Sequence, residues 1–225
     1  MLKNVLTTAV LGASALSIMA ANAAAPGVYV TGQLGYANTH MSDKTNFAAI
    51  NKGIKPIPDF KPNSADVTNL SNNGLAGRLA IGYQFNQNFA VEMGYLQLNK
   101  KKVDGTVDRL PASISLQQNA IDLVGKGILP IANNVNVYGK LGVAYLTTTI
   151  EGKGQVDKLV PATFDLDGTA GVSKHKWAPE AAIGVSYDIT PNVSVDTSWT
   201  HIQPLGSKRP GNIDFVAVGL GYNFG

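Results

Sequence analysis

The sequence contains no cysteine, which excludes both a disulfide framework and a lipid-modified N-terminal cysteine. Beyond the first twenty-odd residues it has no uninterrupted apolar run of about 18 residues, so no helix in that part spans a bilayer. Its 24 glycines and 11 prolines in 225 residues are too few for a collagen-like or disordered chain. Histidine is nearly absent: His40, His175 and His201 are scattered and fit no metal-ligand spacing. The 18 Lys+Arg against 15 Asp+Glu leave a formal charge of +3, too small an excess to argue for nucleic acid.

What is present begins with a secretory pattern. Lys3 is a positive n-region, Val5 to Ala20 an apolar h-region, and Ala21-Asn22-Ala23 a small-x-small cleavage site. The expected division is a signal peptide over 1–23 and one domain over 24–225; a cut after Ala25 would instead leave Pro26 first. About 200 residues suffice for a single all-β domain. An exported chain without a spanning helix is periplasmic, secreted or an outer-membrane barrel, and periodicity must choose.

Segment after segment alternates with period two. Over 77–85, Gly77, Leu79, Ile81, Tyr83 and Phe85 share one face, and Arg78, Ala80, Gly82 and Gln84 the other. Over 89–95, Phe89, Val91, Met93 and Tyr95 alternate with Ala90, Glu92 and Gly94. The same rule fits 28–36, 119–129, 135–147, 179–188, 193–201 and 214–224. Eight strands result, most of about ten residues, the length with which a tilted strand crosses a bilayer. The polar face holds Gly, Ala, Ser, Thr and isolated charges, while Tyr83, Tyr95, Tyr145, Tyr187, Trp199 and Tyr222 collect near strand ends on the apolar face. Small residues inside, large apolar residues outside and an aromatic girdle describe a narrow barrel in lipid. A soluble eight-stranded barrel would carry its large residues inside.

The connections agree. Asn86-Gln87-Asn88, Pro130 to Asn134 and Thr190-Pro191-Asn192 are tight turns, whereas roughly 37–73, 99–117, 149–176 and 202–212 are long and polar. Such alternation is that of periplasmic turns against extracellular loops. The expectation is an all-β fold: an eight-stranded antiparallel transmembrane β-barrel in the outer membrane.

Gly82-Tyr83-Gln84-Phe85-Asn86 with Val91-Glu92-Met93-Gly94-Tyr95 resembles the second hairpin of the outer membrane protein A transmembrane domain. The likeness continues through Lys126 to Ile131, Val137 to Gly142, Tyr187 to Pro191, Arg209 to Asn212 and Val218 to Gly225. It implies barrel assembly by the insertion machinery, with Tyr222 and Phe224 as the C-terminal signal. Two-domain members continue into a peptidoglycan-binding domain after the closing Phe-Gly, so the cell-wall tethering role is not carried over. The family's interior glutamate that pairs with either a lysine or an arginine corresponds to Glu92, and the lysine to Lys126. The arginine position is Asp196 here, and that of a second glutamate is Ser186, so the family switch is altered.

Parity also places Arg78, Asp122, Lys140 and Glu180 inside. An unpaired ion in a narrow lumen is costly, so Glu92 is expected to pair with Lys126 or Arg78, within a luminal network of Arg78, Glu92, Lys126, Lys140 and Asp196. Fourteen of the eighteen cations lie in the four long loops, among them Lys100, Lys101, Lys102, Lys174, Lys176, Lys208 and Arg209; they would meet lipopolysaccharide phosphates or simply keep the loops soluble. Ser198 points inward and His201 outward, which argues against an acyl hydrolase of lipid A. No cofactor, metal or catalytic residue is expected. The functional expectation is a structural and surface-interaction protein contacting outer-membrane lipid and an extracellular or host-surface ligand; the alternative is a narrow, intermittently gated channel.

Overall fold

The computed structural model describes residues 26–40, 61–62, 73–107, 110–157, 160–165, 175–206 and 211–225. The expected signal peptide over 1–23 lies outside these residues. The strands are β1 (Gly27–Asn38), β2 (Lys61–Pro62), β3 (Asn73–Gln84), β4 (Phe89–Leu98), β5 (Lys101–Val107), β6 (Leu110–Ala132), β7 (Val135–Asp157), β8 (Val160–Asp165), β9 (His175–Asp188), β10 (Val193–Ile202) and β11 (Ile213–Asn223). Eight of them close a barrel in the order β1-β3-β4-β6-β7-β9-β10-β11, every neighbour antiparallel. Closure comes where β11 returns to β1, with Asn223 opposite Tyr29 and Asp214 opposite Asn38. A closed sheet has no free edge, the condition for a sheet that faces lipid.

Side chains of the tight turns cap the backbone where the ladder stops. Asn86 Oδ1 accepts from the N–H groups of Asn88 and Phe89, and Thr190 Oγ1 from those of Asn192 and Val193. Asn88, Asn134 and Asn192 each donate their amide to a carbonyl of an adjacent strand, at Ile128, Asp188 and Asn223. Asparagine suits such places because its short amide reaches the local backbone.

Two of the four long connections differ from the sequence expectation. Much of 99–117 and 149–176 is strand, not irregular loop. β6 and β7 each run 23 residues and stay paired from Ala132 opposite Val135 out to Ala112 opposite Gly154. Beyond the rim β5 takes over from β4 beside β6, β8 takes over from β9 beside β7, and β2 adds two residues against β5. At about 3.3 Å per residue, such strands are roughly 75 Å long, far more than a tilted strand needs to cross an apolar band about 25 Å tall. Period-two reading stops at 119 and 147 because lipid no longer enforces an apolar outer face there.

Alternation sorts the barrel residues as expected. Leu34, Leu75, Leu79, Leu141 and Val218 are outward, each more than 60% exposed on the protein alone, while Arg78, Glu92, Asp122, Lys140 and Glu180 are buried inside. The aromatic residues form two belts. Tyr83, Phe85, Tyr187, Tyr222 and Phe224 lie at the turn end; Tyr36, Tyr95, Tyr145, Trp177 and Trp199 lie toward the loop end. The interior departs from expectation in one respect. Its loop-end half is not lined by small residues alone but filled by Leu96, Leu98, Leu146, Ile202, Ile213 and Phe215, with alanines packed between them. These residues belong to the inward parity class at the tops of their strands, where opposite walls can meet across the lumen.

Candidate functional site: the barrel lumen

Below the apolar layer, five strands aim charged or phenolic groups at one point. Glu92 on β4 accepts from Lys140 Nζ at 2.6 Å, from Tyr29 OH at 2.8 Å and from Arg78 Nη1 at 3.3 Å. Lys126 Nζ lies 3.3 Å from the other oxygen of the same carboxylate. Arg78 turns its second edge to Asp122, donating from Nε at 3.0 Å and from Nη2 at 2.6 Å, the bidentate geometry that a guanidinium forms with a carboxylate. Glu92 thus pairs with both cations expected and with Lys140 as well. Strand register makes this convergence possible. Glu92 stands opposite Gly82 and Val124, and Lys126 stands opposite Lys140 across β6 and β7.

Glycine makes the room. A Cβ at Gly94 would lie 2.5 Å from Arg78 Nη2, one at Gly82 2.4 Å from the Tyr29 ring, and one at Gly184 2.4 Å from the Tyr138 ring. The large inward side chains therefore lie flat over inward glycines of the neighbouring strand. An inward glycine on the neighbouring strand is the signal that could have found Tyr29 and Tyr138, two luminal residues that sequence reasoning missed. Lys126 Nζ lies over the Tyr138 ring at 4.5 Å and over the Tyr29 ring at 5.3 Å, a cation–π arrangement.

Asp196 stands apart from this network. Its Oδ2 accepts from Gln33 Nε2 and from Tyr138 OH, both at 2.7 Å, and no lysine or arginine reaches it among the described residues. The sequence grouped it with the cations because it shares their face; the tertiary structure surrounds it with neutral donors. Glu180 is likewise without a salt bridge among the described residues, and its Oε2 is buried with no hydrogen-bond partner. Among the described residues the lumen thus holds three cations, Arg78, Lys126 and Lys140, against Glu92, Asp122, Glu180 and Asp196, with Asp188 at its turn end, and all three cations sit on Glu92 and Asp122. Beneath this layer a cavity of about 70 Å³ opens toward the turn end, lined by Gln33, Asn136, Ser186, Asp188, Ser194 and Asp196 among others.

The catalytic candidates are separated by the barrel wall. Ser198 is buried and hydrogen-bonded to Gln33 at 3.1 Å. His201 lies outside, with Nδ1 2.8 Å from Asp214, whose other oxygen is 3.2 Å from His40 Nδ1. His175 stacks on Tyr145. Among the described residues no three His, Asp or Glu side chains form a metal-holding group. Of the loop cations, Lys100 pairs with Glu151 at 3.0 Å, Lys101 and Lys102 stand on β5, and Lys176 is the second residue of β9. Lys174, Lys208 and Arg209 lie outside the described residues. Tyr222 and Phe224 face outward and meet edge to face, 4.9 Å between centroids.

Residues 8–224 match the family model described as the outer membrane protein beta-barrel domain. An uncharacterized protein of Coxiella burnetii is 31% identical over 226 residues, covering 90% of this chain and 87% of that one. Outer membrane protein A of Serratia marcescens is 27% identical over 150 residues, 64% of this chain and only 38% of that protein. Among solved structures, the outer membrane protein OprG of Pseudomonas aeruginosa superposes with a TM-score of 0.51 at 14% identity, covering 90% of this chain and 99% of that one; at such identity the likeness concerns the fold. With the closed eight-stranded barrel and its apolar exterior, these matches assign the chain to the outer membrane protein beta-barrel domain family, as an integral protein of the outer membrane.

Proposed function

We propose that this protein is a non-conducting outer-membrane barrel whose working part is its extracellular rim: a structural and surface-interaction protein. The observation that carries this reading is the filled lumen. Arg78, Glu92, Asp122, Lys140 and Tyr29 close its middle, and Phe215, Leu96, Leu146, Ile202 and Ile213 fill its extracellular half. Ions crossing would have to shed water against an apolar layer, so a permanently open path is disfavoured. Matter is instead projected outward, where the continuation of β6 and β7 with β5 and β8 forms a sheet beyond the membrane. The cations of the rim suit phosphate groups of lipopolysaccharide or an anionic extracellular ligand. Envelope support and adhesion are the roles such a body serves.

Two measurements test the reading. Liposomes carrying the purified protein should show no swelling in small sugars, and bacteria displaying it should bind a host-cell or matrix surface more than bacteria displaying a variant lacking 101–115 and 152–165. Swelling that scales with protein would favour the narrow channel. Equal binding by both strains, with silent liposomes, would leave envelope support as the function and remove adhesion.

A further inference from the structure

We propose that Asp214, His201 and His40 form an acid-strengthened latch on the loop-end rim, which fixes the end of β1 to the start of β11 at mildly acidic pH and loosens as the histidines lose their charge. Two of the three histidines in the chain meet one carboxylate, although 161 positions separate them. Asp214 Oδ1 lies 2.8 Å from His201 Nδ1 and accepts from Trp199 Nε1 at 3.1 Å, while Oδ2 lies 3.2 Å from His40 Nδ1. Register places Asp214 between Asn38 on β1 and His201 on β10, in one outward row. The corner that presents His40 is strained. His40 has a φ of 29°, the one positive value at a non-glycine position among the described residues, and its N–H donates to Asn38 Oδ1 at 3.0 Å. Such a backbone state is unfavourable for a residue with a Cβ and persists where contacts hold it. The returning chain packs directly on this corner, since a Cβ at Gly211 would collide with the carbonyl oxygens of Thr39 and His40. The cluster therefore bridges the chain leaving β1 and the chain entering β11.

Charge supplies the switch. Facing an ionised carboxylate, each Nδ1 carries its proton and donates it. Uptake of a second proton at Nε2 turns that neutral donor into a charged one, and charge-assisted hydrogen bonds are the stronger kind. Imidazole is the side chain that makes this change in the range around neutrality. The three groups together pass from one net negative charge, with both rings neutral, to one net positive charge, with both protonated. No other ionisable group shares this face on the flanking strands. Beside β10, β9 presents Ala181 and Ile183 in register with His201 and Trp199; beside β1, β3 presents Asn73 and Leu75 in register with Asn38 and Tyr36. Among the described residues Asp214 forms ion pairs with these two histidines alone. The His40 side chain is 51% exposed and that of His201 31%, so both take up protons directly from the medium. At such exposure each pair contributes modestly, which suits a latch that opens and closes rather than one that stays shut.

The test uses the full chain refolded in nanodiscs of zwitterionic lipid. Backbone amide hydrogen exchange is followed by NMR on either side of the histidine range, at about pH 5.5 and about pH 7.5, with each rate divided by that of an unstructured amide at the same pH. Protection at Asn38, His40, Ile213 and Asp214 should be about two- to fivefold higher at the acid pH, the size expected of exposed ion pairs. Asp214→Asn keeps the shape and removes the charge, and should abolish the rise. His201→Gln should cut it to less than half and serves if the Asp214 variant does not insert. The third histidine is the internal control: His175 stacks on Tyr145 and contacts Thr147, so the amides of Lys176 and Trp177 should not follow the pH. A flat profile in the wild type, a rise retained in either variant, or an equal rise at Lys176 and Trp177 would each overturn the proposal.

Discussion

Glu92 is the residue on which the interior depends, because three cations and a phenol share its two oxygens. Removing one partner of a buried pair leaves uncompensated charge, which costs about 3–5 kcal/mol. Glu92→Ala strands Lys126 and Lys140, while Arg78 keeps Asp122, and is expected to lose at least that much in urea unfolding of the barrel from lipid vesicles. In planar bilayers the same variant should remain silent, since the apolar layer above is untouched; discrete conductance steps in Glu92→Ala alone would show that the charge layer is the sole barrier. Glycines divide by the face they occupy. Gly82→Ala should cost about 1–3 kcal/mol by overpacking against the Tyr29 ring. Gly127→Ala, whose Cβ meets nothing within 4 Å, should shift the unfolding midpoint by no more than about 0.5 kcal/mol. The inward charges were legible as soon as the strand parity was. The partners of each charge were not, because parity gives a face but no height or angle around the barrel.

At the scale of elements, the barrel staves and their extracellular continuations obey different rules. Within the membrane every second residue must suit lipid, so the strands announce themselves by alternation; above it that constraint is gone, and so is the pattern. That is why 99–117 and 149–176 read as loops although β6 and β7 run through them. The apolar layer of the lumen was hidden for a related reason: Leu96, Leu146, Ile202 and Phe215 occupy inward positions that sequence reasoning reserves for small or polar residues. Truncating Phe215, a fully buried member of that cluster, to alanine should cost about 3–5 kcal/mol in the same vesicle unfolding assay. A much smaller loss would mean that the layer is loosely packed and able to admit water.

For the whole molecule, an even number of staves with short turns at one end and long connections at the other fixes the orientation in the membrane. The natural absence of cysteine makes this directly measurable, since a single introduced thiol has no competitor. On intact cells a membrane-impermeant maleimide should label Gly105→Cys on β5 and leave Gln87→Cys in the first tight turn unlabelled until the outer membrane is broken. The reverse pattern would invert the barrel in the membrane.

The sequence by itself determined the number of barrel strands, the face of each residue and the turns that join them, because alternation and turn chemistry are local properties read along one chain. Only the tertiary structure decided that Glu92 gathers three cations while Asp196 is left among neutral donors, that apolar side chains fill one half of the lumen, and that β6 and β7 continue past the rim. Each of these depends on how eight strands are staggered around a closed cylinder. That stagger is set by the joint packing of all the walls, so no single segment records it.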